Sequence, residues 1–442
     1  MQNRKLIRDF SKRNKEQRID FLIERLGLTE QTRNWLYTFE SDNSDFQRII
    51  DELSENPVSN YHIPFCIAPN FLVDGIYRTL PLVTEESSVV AALGKAAGFW
   101  AERGGFRTRI IGTEKKGQVH FKWKGNPEKL ISVFPEIREK LIADSFEITA
   151  RMEARGGGIT SIGLRHLPEI LPAYYQLDVS FETIDAMGAN FINSALEKLA
   201  ASLLQLFAED RRFSGDEREA EIIMSILSNY APGCRVKVWV ECAVSDLAGL
   251  DGIPDFAGKF VEAVHIARHD ISRAVTHNKG ILNGMDALAI ATGNDFRAIE
   301  AGAHAFASRN GQYAALSKAF IEETMFRFEM EVPLAVGVVG GITKVHPLAA
   351  FALTILDNPS AVQLMGYMAV AGLASNFAAV RALITNGIQR GHMKMHLSNV
   401  LNQLQVSETE RAEIQEHFAD KTVSYSEVEN FLNRKRNAET IS

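Results

Sequence analysis

Hydrophobic residues recur along this chain with two periods, one typical of helices and the other of strands. Residues 17–27 carry Ile19, Ile23 and Leu26 at helical spacing, and Gly27 is suited to end that helix. Short apolar or alternating segments predict strands. These segments are 63–68, 77–83, 108–111, 119–124, 147–153, 177–181, 235–244, 287–291 and 331–336. Strands spread in this way among helices are typical of mixed α/β and α+β folds.

Longer amphipathic or alanine-rich segments predict the helices. They are 84–103, 127–143, 191–208, 216–229, 256–272, 296–308, 371–385 and 394–404. Ser407 and Ser424 are each followed three residues later by a glutamate, which is the capping-box pattern. This pattern predicts two more short helices near the C-terminus. The glycine-rich segment 155–158 predicts a loop between two strands.

Composition and charge narrow the class of protein. A chain of 442 residues is too long for one ordinary core, so we expect two or three domains. The net charge of -7 argues against nucleic acid as a partner, because phosphate binding requires a basic face. No apolar run approaches the ~20 residues of a membrane span, and the N-terminus does not resemble a signal peptide. Three widely spaced cysteines are typical of reduced thiols, so we expect a cytoplasmic protein with no membrane partner.

Lys279 and Asp295 enclose the apolar segment 285–292, which is the centre of the candidate chemistry. Gly293 and Asn294 form a turn signal, and Asp295 is expected at the N-cap of the helix that follows. One interpretation is an ion pair presented to a cleft. The other is a lysine in a loop and an aspartate that only caps a helix. The two residues alone leave both interpretations open.

Acidic and glycine-containing helix starts give two further candidates. Glu85 and Glu86 open an alanine-rich helix, where a carboxylate either faces a cleft or simply favours the helix dipole. In 185–190 a glycine turn follows a strand and precedes a helix, so its free N–H groups are suited to a pyrophosphate. This turn lacks the G-x-G-x-x-G pattern, and glycine turns before helices are common. Its cofactor role is therefore one of two open interpretations.

Histidines supply the remaining candidates. His265 and His269 stand at i and i+4 on a predicted helix, but no third ligand is evident nearby, so we expect no metal site. His392 follows Gly391 at the start of a C-terminal segment that reads as a small mobile lid. The local sequence allows His392 to be either a lid residue with a function or an ordinary packed histidine.

Five segments occur together in a recognisable order. They are Glu85-Glu86-Ser87-Ser88-Val89-Val90-Ala91-Ala92, Asp185-Ala186-Met187-Gly188-Ala189-Asn190, Thr276-His277-Asn278-Lys279-Gly280, Ala291-Thr292-Gly293-Asn294-Asp295 and Gly391-His392-Met393. This set closely resembles the hydroxymethylglutaryl-coenzyme A (HMG-CoA) reductases, in particular the class II form of bacteria and archaea. The resemblance is almost continuous over 273–311 and 337–396.

The resemblance implies an α+β and α/β multidomain fold. A large substrate-binding domain would comprise 1–110 and 226–386, and a small inserted α+β domain, 111–225, would bind the nicotinamide dinucleotide. Residues 387–442 would form a C-terminal helical flap. The implied protein is a homodimer with active sites at the subunit interface. It would reduce HMG-CoA to mevalonate and free coenzyme A in two steps that use two molecules of NADPH or NADH.

The resemblance also implies four catalytic residues, Glu86, Lys279, Asp295 and His392. Lys279 would stabilise the negative charge that develops on the thioester oxygen, and Asp295 would hold and tune that lysine. Glu86 would give a proton to the alkoxide, and this role requires a raised pKa. His392 would protonate the departing thiolate once the flap closes.

Matching positions imply the binding residues. The substrate set is Ser88, Arg273, Asn283, Asn229 and Asn376, and the cofactor set is Asp185, Met187, Gly188, Asn190, Thr149, Arg155 and Gly157. Thr149 stands where NADH-preferring members carry an aspartate, and Arg151 and Arg155 are near it. An uncharged residue and two cations favour the 2′-phosphate of NADPH.

The sequence departs from the family pattern in two places, and two other functions remain open. Ser87 replaces a proline, and the segment 55–60 differs from the usual dimerisation motif, which alters the expected dimer contact. The same enzyme running oxidatively, with mevalonate and NAD, is one alternative. A non-catalytic coenzyme A-binding paralogue is the other, and the presence of all four catalytic residue types argues against it.

Overall fold

The structure is a computed structural model that describes residues 6–385, 397, 400–404, 406–418 and 423–439. The strands are β1 (Phe65–Val73), β2 (Ile76–Val83), β3 (Arg107–Thr113), β4 (Lys115–Trp123), β5 (Gly158–His166), β6 (Tyr174–Glu182), β7 (Ala220–Ser228), β8 (Cys234–Ala243), β9 (Ser317–Glu322) and β10 (Met325–Pro333). The helices are α1 (Lys15–Leu26), α2 (Glu30–Thr38), α3 (Ser44–Asp51), α4 (Val89–Ala101), α5 (Pro127–Glu153), α6 (Ala189–Glu209), α7 (Phe256–His269), α8 (Ile271–Ala291), α9 (Phe296–Ala307), α10 (Pro347–Ile355), α11 (Ala361–Ile384), α12 (Glu408–His417) and α13 (Tyr425–Glu439).

Three antiparallel sheets organise these elements. β1 and β2 form a hairpin, and a four-stranded sheet has the order β3-β8-β10-β9. A second four-stranded sheet has the order β5-β6-β4-β7. The predicted mixed α/β multidomain fold is therefore confirmed.

The β5-β6-β4-β7 sheet has its own hydrophobic core. Its chain order, β4-α5-β5-β6-α6-β7, is that of two split βαβ units, which is the ferredoxin-like arrangement. α5 and α6 pack together and against this sheet. Trp123 stacks on Phe207 with ring centroids 5.5 Å apart, and both side chains are buried. The division of the chain into domains at residues 110 and 225 stays a prediction.

The larger core is built around α8 and α11, which approach each other closely. A Cβ added at Gly284 of α8 would lie 2.3 Å from the carbonyl oxygen of Ala371 in α11, so only glycine fits there. A Cβ at Gly372 would likewise lie 2.8 Å from Cγ of Met285. Within the described residues, α11 is the one helix long and apolar enough to span a membrane, and 72% of its apolar window is buried. Its apolar surface is covered by the protein core.

Several predicted elements are confirmed. α1 ends at Gly27, which adopts a left-handed conformation with φ of 63°. Asp295 is the N-cap of α9, as the sequence predicts. Ser407 forms a capping box at α12, and the hydroxyl of Ser424 accepts a hydrogen bond from the backbone N–H of Glu427. Local polar patterns thus identified these three helix starts, whereas Glu85 and Glu86, which were predicted to open a helix, lie in the turn before α4, and that helix begins at Val89.

Three predictions of secondary structure are wrong. Residues 287–291 continue α8 and do not form a strand, because a helix buried on all sides shows a continuous apolar run like that of a buried strand. Residues 147–153 form the end of α5. Residues 220–228 form β7, where a bulge in the pairing with β4 disturbs the alternation that identifies a strand.

The C-terminal part of the chain contains a small separate cluster. Side chains from α12, α13 and the residues around Val400 and Leu401 form it, with Ile414 and Val428 fully buried. His392, the fourth catalytic candidate, lies outside the described residues.

Candidate active site

Glu86 and Lys279 form an ion pair between two elements that meet in the larger core. Glu86 lies in the turn between β2 and α4, and Lys279 lies on α8, which packs against β2 and α4. The Nζ of Lys279 is 3.5 Å from Oε2 of Glu86. The two side chains are 61% and 39% exposed, so the pair faces solvent and contributes only ~0–1 kcal/mol to stability. The pair is accessible to a ligand.

Ser88, two residues after Glu86, holds an unusual backbone conformation. Its φ of 80° is in the left-handed region, which is uncommon for a residue with a side chain. Ser88 is the N-cap residue of α4, but its side chain makes no capping hydrogen bond. The hydroxyl of this half-buried residue therefore remains available, and strain of this kind is common at binding sites.

Asp295 is held by its own helix. Its Oδ1 accepts hydrogen bonds from the backbone N–H groups of Arg297 at 3.0 Å and Ala298 at 3.2 Å. Its Oδ2 lies 3.1 Å from a guanidinium nitrogen of Arg297. Among the described residues, Lys279 forms its ion pair with Glu86, and Asp295 forms its ion pair with Arg297. The structure thus brings together two of the catalytic candidates and leaves Asp295 in its capping role.

One face of α8 carries further polar candidates. Asn283 and Asp286 follow Lys279 at i+4 and i+7, so all three share a helix face. Asn283 is half-buried. Burial and the neighbouring Glu300 of α9 raise the pKa of Asp286. This face therefore combines an ammonium, an amide and a carboxyl that favours its protonated form.

Asn376 of α11, a predicted substrate contact, is 1% exposed. Its Nδ2 donates a hydrogen bond to the carbonyl of His277 at 3.2 Å, and its Oδ1 accepts one from the hydroxyl of Ser317 at 2.8 Å. Both ends of the amide are thus engaged inside the protein. Since His277 lies two residues before Lys279, Asn376 fixes the part of α8 that carries the lysine.

His277 is buried beneath the same site. Its Nε2 lies 2.6 Å from the hydroxyl oxygen of Ser317. Burial, with a smaller contribution from the nearby positive charge of Arg273, lowers the pKa of His277 to about 4. The imidazole is therefore neutral in the folded protein near neutral pH.

This lowered pKa predicts an acid-sensitive fold. The pKa of a histidine in the unfolded chain is near ~6.5. Below that pH, His277 is therefore protonated in the unfolded state while it is still neutral in the folded state. The free energy of unfolding should therefore fall by about 3 kcal/mol as the pH decreases from ~6.5 to 4. Urea denaturation of His277→Gln should show a weaker loss of unfolding free energy over this range. His304→Gln, at an exposed histidine, is the control and should keep the wild-type slope. Equal slopes for His277→Gln and wild type would contradict the assignment.

The second predicted site is the turn that precedes α6. Gly188 has φ of 93°, and an added Cβ would lie 2.6 Å from Cγ2 of Thr183, so glycine is required on both grounds. Asn190 is exposed in the first turn of α6. The carboxylate of Asp185 is already engaged, because its Oδ1 accepts a hydrogen bond from the backbone N–H of Ala361 at 2.8 Å.

The glycine-rich loop lies beside this turn. A Cβ at Gly157 would lie 2.5 Å from the carbonyl oxygen of Glu182, the last residue of β6. The structure therefore brings together the two predicted dinucleotide segments. Arg155 is exposed there, whereas Thr149 is 1% exposed and donates a hydrogen bond to the carboxylate of Glu153 at 2.5 Å. Thr149 lies on the inner face of α5, and the resemblance to the family could not reveal this orientation.

Lys115 is a buried cation that the sequence interpretation missed. It is 4% exposed, and its Nζ donates hydrogen bonds to the hydroxyl of Thr183 at 2.5 Å and the carbonyl of Ala186 at 3.3 Å. Burial lowers the pKa of this lysine. A cavity of about 20 Å³ lies beside Lys115 and is also lined by Met187 and Asn229, residues predicted to serve different ligands. The alternation of β4 was the available signal, since Lys115 shares the inner face with Val119.

No group of three histidine, cysteine or acidic side chains that would suit a metal ion occurs in the described part of the chain. His265 and His269 are both exposed on α7, with ring centroids 4.3 Å apart. A solvent-facing carboxylate–ammonium pair and a separate glycine turn remain as the chemistry-bearing features. An ammonium beside a carboxylate can stabilise negative charge and transfer a proton, and a glycine turn at a helix N-terminus can hold an anion.

Comparisons with known proteins identify the family. Residues 14–397 match the family model described as hydroxymethylglutaryl-coenzyme A reductase. The chain belongs to the HMG-CoA reductase family. The resemblance to the class II form is confirmed, and so is the assignment as an oxidoreductase.

Relatives and solved structures agree with this placement. The chain is 38% identical to 3-hydroxy-3-methylglutaryl-coenzyme A reductase of Archaeoglobus fulgidus over 356 residues, which cover 80% of this chain and 77% of the relative. It is 33% identical to a probable reductase of Borreliella burgdorferi over 369 residues, which cover 83% and 81%. The solved reductase of Streptococcus pneumoniae superposes with a TM-score of 0.71 at 34% identity, covering 86% of this chain and 99% of that one. Another structure, the class II enzyme of that organism bound to NADPH in open conformations, gives a TM-score of 0.70, 34% identity and the same coverage.

Proposed function

We propose that this protein reduces HMG-CoA to mevalonate and coenzyme A in two steps, with Glu86, Lys279, Asp295 and His392 as its catalytic residues. The ion pair between Lys279 and Glu86 is the observation that carries this proposal. A bound nicotinamide supplies one hydride in each step. The first hydride and a proton convert the thioester to a thiohemiacetal, which breaks its C–S bond to give an aldehyde and the free thiol. The second hydride and a second proton give the alcohol.

Lys279 acts on the oxygen of the carbonyl group. Each hydride addition puts negative charge on that oxygen, and a fixed ammonium beside it lowers the energy of the transition state. Lys279 is 61% exposed without substrate, so the bound thioester displaces water from it. Removal of this water strengthens the attraction between the ammonium and the oxygen, because the effective dielectric constant falls.

Glu86 supplies the proton to the same oxygen. Its carboxylate is 3.5 Å from Nζ of Lys279, so an oxygen held by the lysine is within reach of both groups. Ser88 and Arg273 are proposed to hold the substrate, Arg273 through its terminal carboxylate. The side chain of Arg273 is half-buried at the start of α8, on the helix that also carries Lys279.

Protonation of the thiolate is assigned to His392, and this role follows from the family motif alone. A thiol has an ordinary pKa near ~8.5 and histidine one near ~6.5, so an imidazolium is a suitable donor near neutral pH. The flap that would carry His392 to the site corresponds to residues 387–442. Asp295 is proposed to orient Lys279 in the closed, substrate-bound state.

The proposed nucleotide is NADPH in preference to NADH. Arg151 in the last turn of α5 and Arg155 in the glycine-rich loop are both exposed. Arginine recognises the 2′-phosphate that distinguishes the two nucleotides. Glu153 is the one acidic residue between those arginines in the sequence. Its carboxylate is already engaged, because it accepts a hydrogen bond from Thr149.

Replacement of Arg155 by glutamine should test the nucleotide preference. We expect the KM for NADPH to rise at least about tenfold, since a hydrogen bond to a charged group contributes ~1.5–3 kcal/mol, while the KM for NADH stays unchanged. Steady-state rates with both nucleotides measure this. Arg165→Gln, at an exposed arginine of β5, is the matched control. A wild-type enzyme that works faster with NADH would contradict the preference without affecting the reductase assignment.

We also propose a cytoplasmic homodimer. Trp35 and Tyr61 near the N-terminus are 63% and 88% exposed, and tryptophan and tyrosine are enriched at interfaces between subunits. Tyr61 directly follows the altered segment 55–60, and the hydroxyl of Ser59 in that segment donates to the carbonyl of Leu36, the residue after Trp35, at 2.6 Å. The family counterpart of this segment makes the dimer contact. A molar mass of one chain by light scattering would contradict the dimer.

A further inference from the structure

Asn294, the neighbour of Asp295, bonds to a distant segment through both ends of its side-chain amide. The backbone N–H of Gly337 donates to Oδ1 of Asn294 at 2.8 Å, and Nδ2 of Asn294 donates to the carbonyl of Gly337 at 3.1 Å. Nδ2 also lies 3.1 Å from the hydroxyl oxygen of Thr292. One side chain thus satisfies both polar groups of a backbone residue, and it fixes the turn between α8 and α9 to residue 337.

Gly337 in turn presses against the turn before α6. A Cβ added at Gly337 would lie 2.3 Å from the backbone nitrogen of Met187 and 2.9 Å from the carbonyl carbon of Ala186. The N–H of Val338 donates to the carbonyl of Asp185 at 2.9 Å. Ala186 and Val339 form an isolated parallel bridge. The segment 337–339 is therefore held between Asn294 and residues 185–187.

The same turn is tied back to the lysine helix by a second route. Asp185 accepts a hydrogen bond from Ala361 at the start of α11, and Asn376 of that helix donates to the carbonyl of His277 on α8. The turn that precedes α6, the turn that carries Asp295 and the helix that carries Lys279 are joined in one closed set of contacts. Because packed elements shift together, we expect a change in one of these contacts to displace the others.

We propose that Asn294 and Gly337 form a clamp that sets the distance between the nicotinamide-binding turn 185–188 and the reacting carbonyl held at Lys279. Asn294 is a positioning residue in this arrangement and touches neither ligand. Hydride transfer needs reacting atoms about 3–3.5 Å apart, and a displacement near 1 Å costs about 10²-fold in rate. The proposal rests on the proposed function, because it assigns the turn to the nicotinamide nucleotide.

Two substitutions at Asn294 test the clamp. Asn294→Ala removes both hydrogen bonds. Asn294→Asp keeps the size and the acceptor, but it places a carboxylate oxygen 3.1 Å from the carbonyl oxygen of Gly337, where no donor remains. We expect kcat to fall about 10²-fold in each variant, while dissociation constants for NADPH and HMG-CoA stay within about threefold of wild type. This separation of kcat from binding distinguishes positioning from a merely structural role.

Gly337→Ala tests the clamp from its other side. The new methyl group must displace Met187, so we expect the same loss of kcat with Asn294 unchanged. Asn310→Ala, at an exposed asparagine beyond the other end of α9, and Gly98→Ala, where an added Cβ meets no atom within 4 Å, are controls that should keep full activity.

Amide hydrogen exchange gives a readout that does not need turnover. In the unliganded Asn294→Ala variant we expect faster exchange at residues 185–188 and 337–339 than in wild type, with no change in the β3-β8-β10-β9 sheet. Wild-type kcat in both Asn294 variants, or unchanged exchange at 185–188, would overturn the clamp. An inactive wild-type protein would overturn the proposed function instead, and the exchange experiment would still decide the clamp. If Asn294→Ala does not fold, Asn294→Asp decides the test through kcat.

Discussion

Replacement of Lys279 by alanine should lower kcat by at least about 10²–10³-fold, the usual cost of removing one stabilising group from a developing oxyanion. The fold should survive, because the lysine is 61% exposed and its ion pair with Glu86 contributes ~0–1 kcal/mol to stability. Rates of NADPH oxidation with HMG-CoA, together with thermal unfolding followed by circular dichroism, measure both effects. The loss should appear in kcat more than in KM, since the ammonium acts mainly on the transition state.

A matched control is available on the neighbouring helix. Lys95 is an exposed lysine of α4, and Lys95→Ala should keep wild-type activity. Substantial activity in Lys279→Ala would remove the lysine from its role. A lowered melting temperature in Lys279→Ala alone would instead show that the ion pair is structural.

Replacement of Glu86 by glutamine should be the second large effect. Glutamine keeps the size of the side chain but cannot transfer a proton, and a positioned acid or base contributes about 10²–10⁴-fold. Glu85→Gln is the matched control, because Glu85 is adjacent and exposed, whereas Glu86 is half-buried against Lys279. Steady-state assays of both variants at several pH values measure the difference. Equal activity in the two variants would contradict the assignment of Glu86.

The double variant of Glu86 and Lys279 sharpens this test. The two groups are 3.5 Å apart and act on the same oxygen, so their losses should not add. We expect the double variant to be about as slow as the slower single variant. Fully additive losses would indicate that the two residues serve separate steps.

The sequence was a better guide to the residues of the candidate site than to the helices and strands that carry them. Asp295 was correctly predicted as a helix cap, because capping depends on the local chain alone. Lys279 was placed before a strand, yet it lies within α8. The run of alanine, leucine and isoleucine at 287–291 is buried on all sides of that helix, and periodicity cannot separate such a helix from a buried strand.

Side-chain burial was the second limit. The family resemblance implied ligand contacts for Asn376 and Thr149, but both lie on inner helix faces and bond within the protein. Lys115 stands in a charged run that indicates a surface, and the pleat of β4 turns it inward. The orientations of Asn376 and Thr149 depend on which helix face the rest of the chain covers, and local sequence does not contain that information. For Lys115 the alternation of β4 was a signal.

The close packing of α8 on α11 shows that a sequence motif can mark a residue without revealing its physical role. Gly284 is part of the segment that resembles the reductases, and its role becomes clear only when the backbone of Ala371 is seen to occupy the space of its missing side chain. Gly188 is different, since a glycine between a strand and a helix already predicts a turn with positive φ. Backbone conformation was therefore predictable here, and contact between distant segments was not.

The stoichiometry of the reaction tests the central proposal most directly. With HMG-CoA limiting and reduced nucleotide in excess, nucleotide absorbance, free thiol and mevalonate are measured on the same sample. We expect two molecules of NADPH or NADH oxidised and one thiol and one mevalonate formed for each HMG-CoA consumed. In Lys279→Ala we expect each of these changes to be at least about 10²–10³-fold slower. Oxidation of neither nucleotide by the folded wild-type protein, or an undiminished reaction in Lys279→Ala, would contradict the proposal that Lys279 and Glu86 carry a four-electron thioester reduction.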